Sequence, residues 1–281
     1  MVGRELDARD DAAWDQLAQS SPQANVFQTR DCLQMLCATD ADLRVRRFGC
    51  FDGAQLLDAQ AVVYHARWGM LLAAPFEFFY ASPMLAAAPH CARASRAPKQ
   101  CDALAALARE IARHFASVEF ETHPALKDVR AFLETGWRVR PVYTHIWRVD
   151  QIEQTWAAMN REKRSAIKHA LAQFAFAHAE DDVTLDAFLA VYRETMAKFS
   201  WRPSPKWAAM FRARLRWLTE RGCARLYTAR DANGKLIGGV VVLLSPPDRT
   251  AYLFRQGTAP EFLGANVVPA LYWHAARAVA G

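Results

Sequence analysis

The order helix, helix, strand, strand, strand, helix occurs twice along this 281-residue chain, and it constrains the fold more than any single motif. In the first pass, apolar periodicity predicts helices at 10–19 and 30–38. A strand at 43–52 turns at Asp52-Gly53 into a long strand at 55–72. A third strand follows at 76–85 and a helix at 98–115. In the second pass the helices are 185–199 and 205–222, and the strands are 224–231, 236–245 and 250–258. Asn233-Gly234 turns the first hairpin, and a helix at 266–281 closes the pass. Between the passes lie a strand at 117–122, a helix at 125–136 ending at Gly136, a strand at 137–149, a basic helix at 151–173 and a short strand at 174–179. An antiparallel meander closed by a helix predicts an α+β fold, not alternating βαβ units. The repeat of order predicts two domains, 1–149 and 150–281.

The longest apolar run, "LIGGVVVLLS" at 236–245, has strand length, far short of the roughly 18–20 residues of a spanning helix. The acidic start, "MVGRELDARDDAAW", is unlike a secretory signal. Together these predict a cytoplasmic protein. Cys32, Cys37, Cys50, Cys91, Cys101 and Cys223 form no CxxC pair, and the histidines form no HxxxH, so reduced inert thiols and no metal are expected.

Charge is unevenly placed. Residues 1–145 carry a net −1 and residues 146–281 a net +7. Within the basic helix, Arg161, Arg164 and Lys168 share one stripe at i, i+3 and i+7. Either the stripe is a solvated face, or it meets an anionic ligand such as a phosphate, a coenzyme or RNA. Aromatics interleaved with Lys and Arg in a recognised nucleic-acid module are absent.

The tandem order and the block "GWRVRPVYTHIWRVDQIEQTWAAMNREKRSAIKHALAQFAFAHA" (136–179) resemble the FemAB-like peptidyltransferases, which join two GNAT-type acyltransferase folds. Trp156, Lys163, Arg164, Ile167, Lys168 and Ala170 stand where that family's pattern places such residues. "LDAFLAVYRETMAKF" (185–199) and "YASPML" (80–85) resemble two further family segments. The resemblance implies two tandem GNAT-like domains with mixed, mainly antiparallel sheets flanked by helices. It implies a bacterial N-acyltransferase that moves an acyl or aminoacyl group from acyl-CoA or aminoacyl-tRNA to an amine acceptor of peptidoglycan type. The donor would be a co-substrate; no permanently bound cofactor is implied.

The resemblance also distributes roles. Arg164 and Lys168 would contact donor phosphates. Gly257 would mark the break in the third strand of the second half, where a backbone N–H polarises the acyl carbonyl. The pyrophosphate turn of the GNAT fold corresponds to "EFLGAN" (261–266): Gly264 matches its first glycine, with Ala265 and Asn266 completing the cradle at a helix N-terminus. Glu261 departs from that pattern and would repel phosphate. Tyr252, Gln256 and Tyr272 flank this turn as candidates for holding the acceptor or relaying a proton. Tyr80, Trp201 and Arg202 are the candidates for substrate binding.

A GNAT domain continues past its third helix with further strands. None follows Gly281, so the second domain is expected to be incomplete at its C-terminus, with a second copy or a partner as one means of completing it. The alternative to an enzyme is therefore a non-catalytic binding or regulatory remnant of the same fold.

Overall fold

The computed structural model describes residues 1–86 and 93–280. Cys91, one of the expected inert thiols, and Gly281 lie outside the described residues. The chain divides into two compact units. The first comprises Met1–Val142 with Ser245–Thr250, the second Tyr143–Leu244 with Ala251–Gly281. No helix among the described residues is long and apolar enough to cross a membrane.

In the first unit the strands are β1 (Val2–Glu5), β2 (Arg44–Asp52), β3 (Gln55–Arg67), β4 (Met70–Ala73) and β5 (Met84–Leu85). They order β1-β2-β3-β4, and β5 pairs with β3. Helices α1 (Asp11–Ser20), α2 (Arg30–Thr39), α3 (Arg93–His114) and α4 (Arg130–Glu134) accompany the sheet. Phe48, Cys50 and Val62 of the sheet share a buried cluster with Leu107 and Ile111 of α3. Leu104, Leu107 and Ile111 recur at helical spacing along α3, and that spacing buries them.

Four expectations for this unit need correction. The strand expected at 55–72 is a hairpin. Trp68 and Gly69 both adopt positive φ, and Arg67 pairs with Met70 across this two-residue turn. The apolar run hid it, because Trp68 is a bulky residue in a turn position. The strand expected at 76–85 shrinks to Met84–Leu85. Side chains hold the preceding segment instead. Asn25 Nδ2 donates to the Tyr80 carbonyl (3.3 Å), Gln60 Nε2 to that of Ala81 (2.9 Å) and Gln28 Nε2 to that of Ser82 (2.5 Å). The strand at 117–122 reduces to a parallel bridge between Ser117 and Leu72, because β4 offers only four residues of edge. Residues 137–149, which run on into the second unit from Tyr143, form no strand, and Val142, Tyr143 and Ile146 are exposed. β1 is an addition: its four residues are too short to show a period.

The tip of the hairpin between the last two strands, Ser245–Thr250, clusters with the first unit. Val26 N donates to Ser245 Oγ (3.0 Å), and His123 Nε2 lies 3.4 Å from Asp248 Oδ2.

In the second unit, the expected continuous helix 151–173 is two helices, α5 (Ile152–Ala158) and α6 (Arg161–Gln173). Asn160 makes the break. Its side chain accepts from Lys163 N (2.7 Å) and caps α6. Then follow β6 (Ala175–Ala179), α7 (Asp182–Ala197), α8 (Pro205–Glu220), β7 (Ala224–Arg230), β8 (Leu236–Ser245), β9 (Thr250–Thr258) and α9 (Val267–Ala280). The sheet runs β6-β7-β8-β9. Asp181 and Ser204 cap α7 and α8 through their side chains.

The Gly-Gly pair in β8 lets helices approach both faces of this sheet. A Cβ on Gly239 would stand 2.7 Å from Phe188 of α7, and one on Gly238 would stand 3.0 Å from Val267 of α9. Ile237, Val240 and Val242 pack with Ala170 of α6 and Ala270, Leu271 and Ala275 of α9. Trp156 of α5 sits ring to ring with Trp273 of α9, centroids 4.5 Å apart.

Candidate active site

The second unit gathers its candidate residues where β9 ends and α9 begins. β9 does not break at Gly257 but continues to Thr258. Two contacts hold it in line. A Cβ on Gly257 would lie 2.9 Å from Tyr192 Cα, so glycine is what lets β9 press against the α7 backbone. Thr195 Oγ1 accepts from Thr258 N (3.0 Å) and lies 3.1 Å from Thr258 O. Ala259 N donates to Ile237 O (2.8 Å). The two N–H groups that follow Gly257 are therefore engaged inside the unit.

The chain then makes a 3-10 turn over Pro260–Ala265 and enters α9 through Asn266, which adopts the left-handed conformation (φ 56°, ψ 29°). Nothing lies within 4 Å of the position of a Cβ on Gly264, so the turn has an open side there. The first turn of α9 carries no acidic residue. Of its first three residues, Val267 and Val268 carry N–H groups without intrahelical acceptors, the usual condition for holding an anion, while Pro269 has no N–H to offer. Glu261 points its charge elsewhere: Lys235 Nζ stands 2.8 Å from Glu261 Oε1. The hydrogen bond from Lys235 holds the Glu261 carboxyl below its ordinary range, and the same bond raises the Lys235 ammonium. The repulsion expected from Glu261 is thus countered by a cation whose role sequence reading missed.

The other candidates divide by environment. Tyr252 is buried on β9, and Gln256 is exposed on the same strand. Tyr272 is half-buried on α9, and burial pushes its phenol above the ordinary range, so it is protonated at neutral pH, as an unshifted tyrosine also is. Arg164 Nη1 donates to the Ala157 carbonyl (2.9 Å), bridging the break between α5 and α6. Lys168 is exposed, and among the described residues no carboxylate pairs with Arg161, Arg164 or Lys168. Trp201 packs at 5.2 Å from Trp207 and 6.2 Å from Tyr192, while Arg202 is exposed. Tyr80 belongs to the first unit. It has positive φ (33°), its ring meets His123 edge-on at 5.3 Å, and burial raises its phenol. His123 is committed: Nδ1 accepts from Ala125 N (3.0 Å), and Nε2 faces Asp248.

Sequence reading passed over Arg255. It is a lone charge inside "AYLFRQGT", and that isolation in an otherwise apolar strand is the signal that could have found it. Its guanidinium lies 4.1 Å from the Phe254 ring centre, and burial pushes its pKa down.

Residues 155–281 match the model of the "Acetyltransferase (GNAT) domain" family. None of the curated proteins matches the sequence. Among solved structures, the crystal structure of FemX superposes with a TM-score of 0.65 at 11% identity, covering 99% of this chain and 86% of that one. The C-terminal domain (DUF2156) of a putative lysylphosphatidylglycerol synthetase from Agrobacterium fabrum gives 0.48 at 11% identity, covering 97% and 74%. A tandem GNAT protein from the clavulanic acid biosynthesis pathway gives 0.41 at 12%, covering 97% and 83%. The fold is α+β, with two GNAT-like domains in tandem like the fold of FemX, and the second of them matches the acetyltransferase (GNAT) family.

Proposed function

We propose that the chain is an N-acyltransferase that moves an acyl or aminoacyl group from a phosphate-bearing donor, acyl-CoA or aminoacyl-tRNA, to an amine. The observation that carries this reading is the junction of β9 and α9. An open turn at Gly264 leads to a helix N-terminus free of acidic residues, and the nearby Glu261 is neutralised by Lys235. An anionic donor group is favoured at such a place by unpaired N–H donors and by the helix dipole. Arg164 and Lys168 extend positive charge along α6 for the donor's remaining phosphates, with Gly264, Ala265 and Asn266 forming the turn itself.

Direct transfer needs no covalent enzyme intermediate. The neutral amine attacks the acyl carbonyl, the thiol or ribose hydroxyl leaves, and a proton passes from nitrogen to the leaving group or to water. In this reading Tyr272, protonated at neutral pH, donates a hydrogen bond toward the leaving group. Gln256, exposed on β9, orients the amine, and Tyr252 supports the strand from the buried side. Trp201 and Arg202 border the acceptor, and Tyr80 serves acceptor binding in the first unit. The FemX-like fold favours acceptors of the peptidoglycan class in a cytoplasmic, bacterial setting.

One observation favours a second reading, a binding module without turnover. The N–H groups of Thr258 and Ala259, next to the expected carbonyl-polarising position, are already bonded within the unit. Incubation of the purified chain with acetyl-CoA, or with charged tRNA, and a panel of amines separates the two. Release of free thiol or deacylated tRNA that depends on the amine supports transfer. Donor binding without release supports the module.

A further inference from the structure

We infer that Arg255 is the anchor for a carboxylate on the acceptor, so that the amine substrate is one that also bears a carboxylate group. The inference rests on the acyltransfer reading only for the word acceptor; the anion site itself stands on the geometry.

Arg255 projects from β9 two residues before Gly257 and is half-buried. Its Nε is buried with no hydrogen-bond partner, and the bond that Nη1 donates to the Phe254 carbonyl is long at 3.4 Å. No carboxylate pairs with it among the described residues. The ionisable neighbour that acts on it is Tyr192, whose own phenol burial keeps neutral. The Phe254 ring face offsets part of the lost hydration, but it accepts no N–H in line with Nε. The guanidinium is a planar fork of donors, and its buried Nε is left unfilled. Buried charge without a partner is costly, and it persists where a ligand supplies the missing half.

The surroundings define the ligand. Tyr192 stacks on Trp207 (5.7 Å), Trp207 on Phe211 (5.0 Å), and Phe211 on Phe254 (6.2 Å). Trp201 joins the cluster edge-on and is 40% exposed, which leaves the cluster reachable from solvent. One cation among aromatic rings, with no second basic group acting on it, balances one negative charge. That matches a carboxylate on an apolar or planar body better than a doubly charged phosphate.

The test compares two probes of the same body, phenylalanine and phenylalaninamide, by isothermal titration against the wild-type chain and the Arg255→Lys and Arg255→Met variants. Met keeps an apolar stem over Phe254 without the charge, and both variants are checked for an unchanged melting curve. The acid is expected to bind wild type at least 10-fold tighter than the amide. That preference should shrink in Arg255→Lys, which has charge but no fork, and vanish in Arg255→Met. Inorganic phosphate is expected to compete less well than acetate. Equal binding of acid and amide, no binding of either, or a preference that survives in Arg255→Met overturns the assignment. If the preference is present but no amine-dependent thiol or tRNA release is seen, the carboxylate site stands and the transfer reading fails. If release is seen with no preference, the reverse holds.

Discussion

Thr195 Oγ1 bonds the main chain of Thr258, accepting from its N–H at 3.0 Å and lying 3.1 Å from its carbonyl. One hydroxyl on α7 thereby fixes the last residue of β9 at the point where the candidate donor turn begins. Thr258 is 2% exposed, so water cannot take over. Thr195→Val keeps the shape and removes the hydroxyl. It should cost about 1–3 kcal/mol, the usual penalty for leaving buried backbone groups unmet. Urea unfolding measures this, and a change below a few tenths of a kcal/mol would show that the clamp is dispensable.

Gly257 is required by the same approach of strand to helix. An added Cβ would meet Tyr192 Cα at 2.9 Å and Tyr192 N at 3.1 Å, backbone atoms that cannot swing aside. Gly257→Ala should therefore destabilise by about 1–3 kcal/mol through overpacking. Gly264→Ala should be close to neutral in stability, because its Cβ would meet nothing within 4 Å. Thermal melts of the two variants side by side check the contrast.

Lys235 and Glu261 make a prediction about charge more than about stability, since the pair is exposed. Lys235→Ala releases an uncompensated carboxylate beside the N-terminus of α9, and donor affinity should fall several-fold at low salt. Glu261→Gln alone should leave affinity unchanged or raise it, and the double variant should recover what Lys235→Ala lost. Titration with coenzyme A supplies the readout. Additive losses in the double variant would mean that Lys235 contacts the donor directly.

The α6 stripe is tested by reversal. Arg161, Arg164 and Lys168 have no carboxylate partners among the described residues, so Lys168→Glu should fold normally. If α6 meets donor phosphates, coenzyme A binding should weaken about 10-fold or more in the Lys168→Glu variant and lose part of its salt dependence. Unchanged affinity would return the stripe to its simpler role as a solvated helix face.

Apolar patterning revealed the tandem order: Leu104, Leu107 and Ile111 recur at helical spacing on α3, and β8 is a continuous apolar run of strand length, buried on both faces. It failed where structure depends on partners distant in sequence. The segment before Met84 looked like strand from its aromatics, yet its carbonyls are held by Asn25, Gln28 and Gln60. Trp68 concealed a turn, and Asn160, a visible cap residue, was overlooked inside a long charged run. In the candidate site the turn before α9 was legible, whereas Gly257, expected to break β9, instead lets the strand press against α7. Lys235 was not legible, because its pairing with Glu261 spans 26 residues and two elements.

Asp58 provides a stability test that is independent of any ligand. It is 2% exposed on β3, its Oδ2 has no hydrogen-bond partner, and burial pushes its pKa up from 3.8 to about 8. Directly across the ladder, burial and the Asp58 charge push the Cys50 thiol up to about 11, outside the same window. The raised carboxyl fixes the sign. Below about pH 4 both folded and unfolded chains hold the proton, and the protonated form contributes its full stability. Between about 4 and 8 the unfolded chain has released the proton while the folded chain keeps it. Stability then falls with rising pH, by up to about 1.4 kcal/mol per pH unit. Above about 8 the folded group ionises too, and the loss levels off. Asp58→Asn removes this titration while keeping the shape. The variant should melt close to wild type at pH 5 and clearly above it at pH 8.5, where wild type carries a buried charge without a counter-ion. A gap between the two melting temperatures that does not widen from pH 5 to pH 8.5 would mean that Asp58 titrates like an ordinary surface carboxylate.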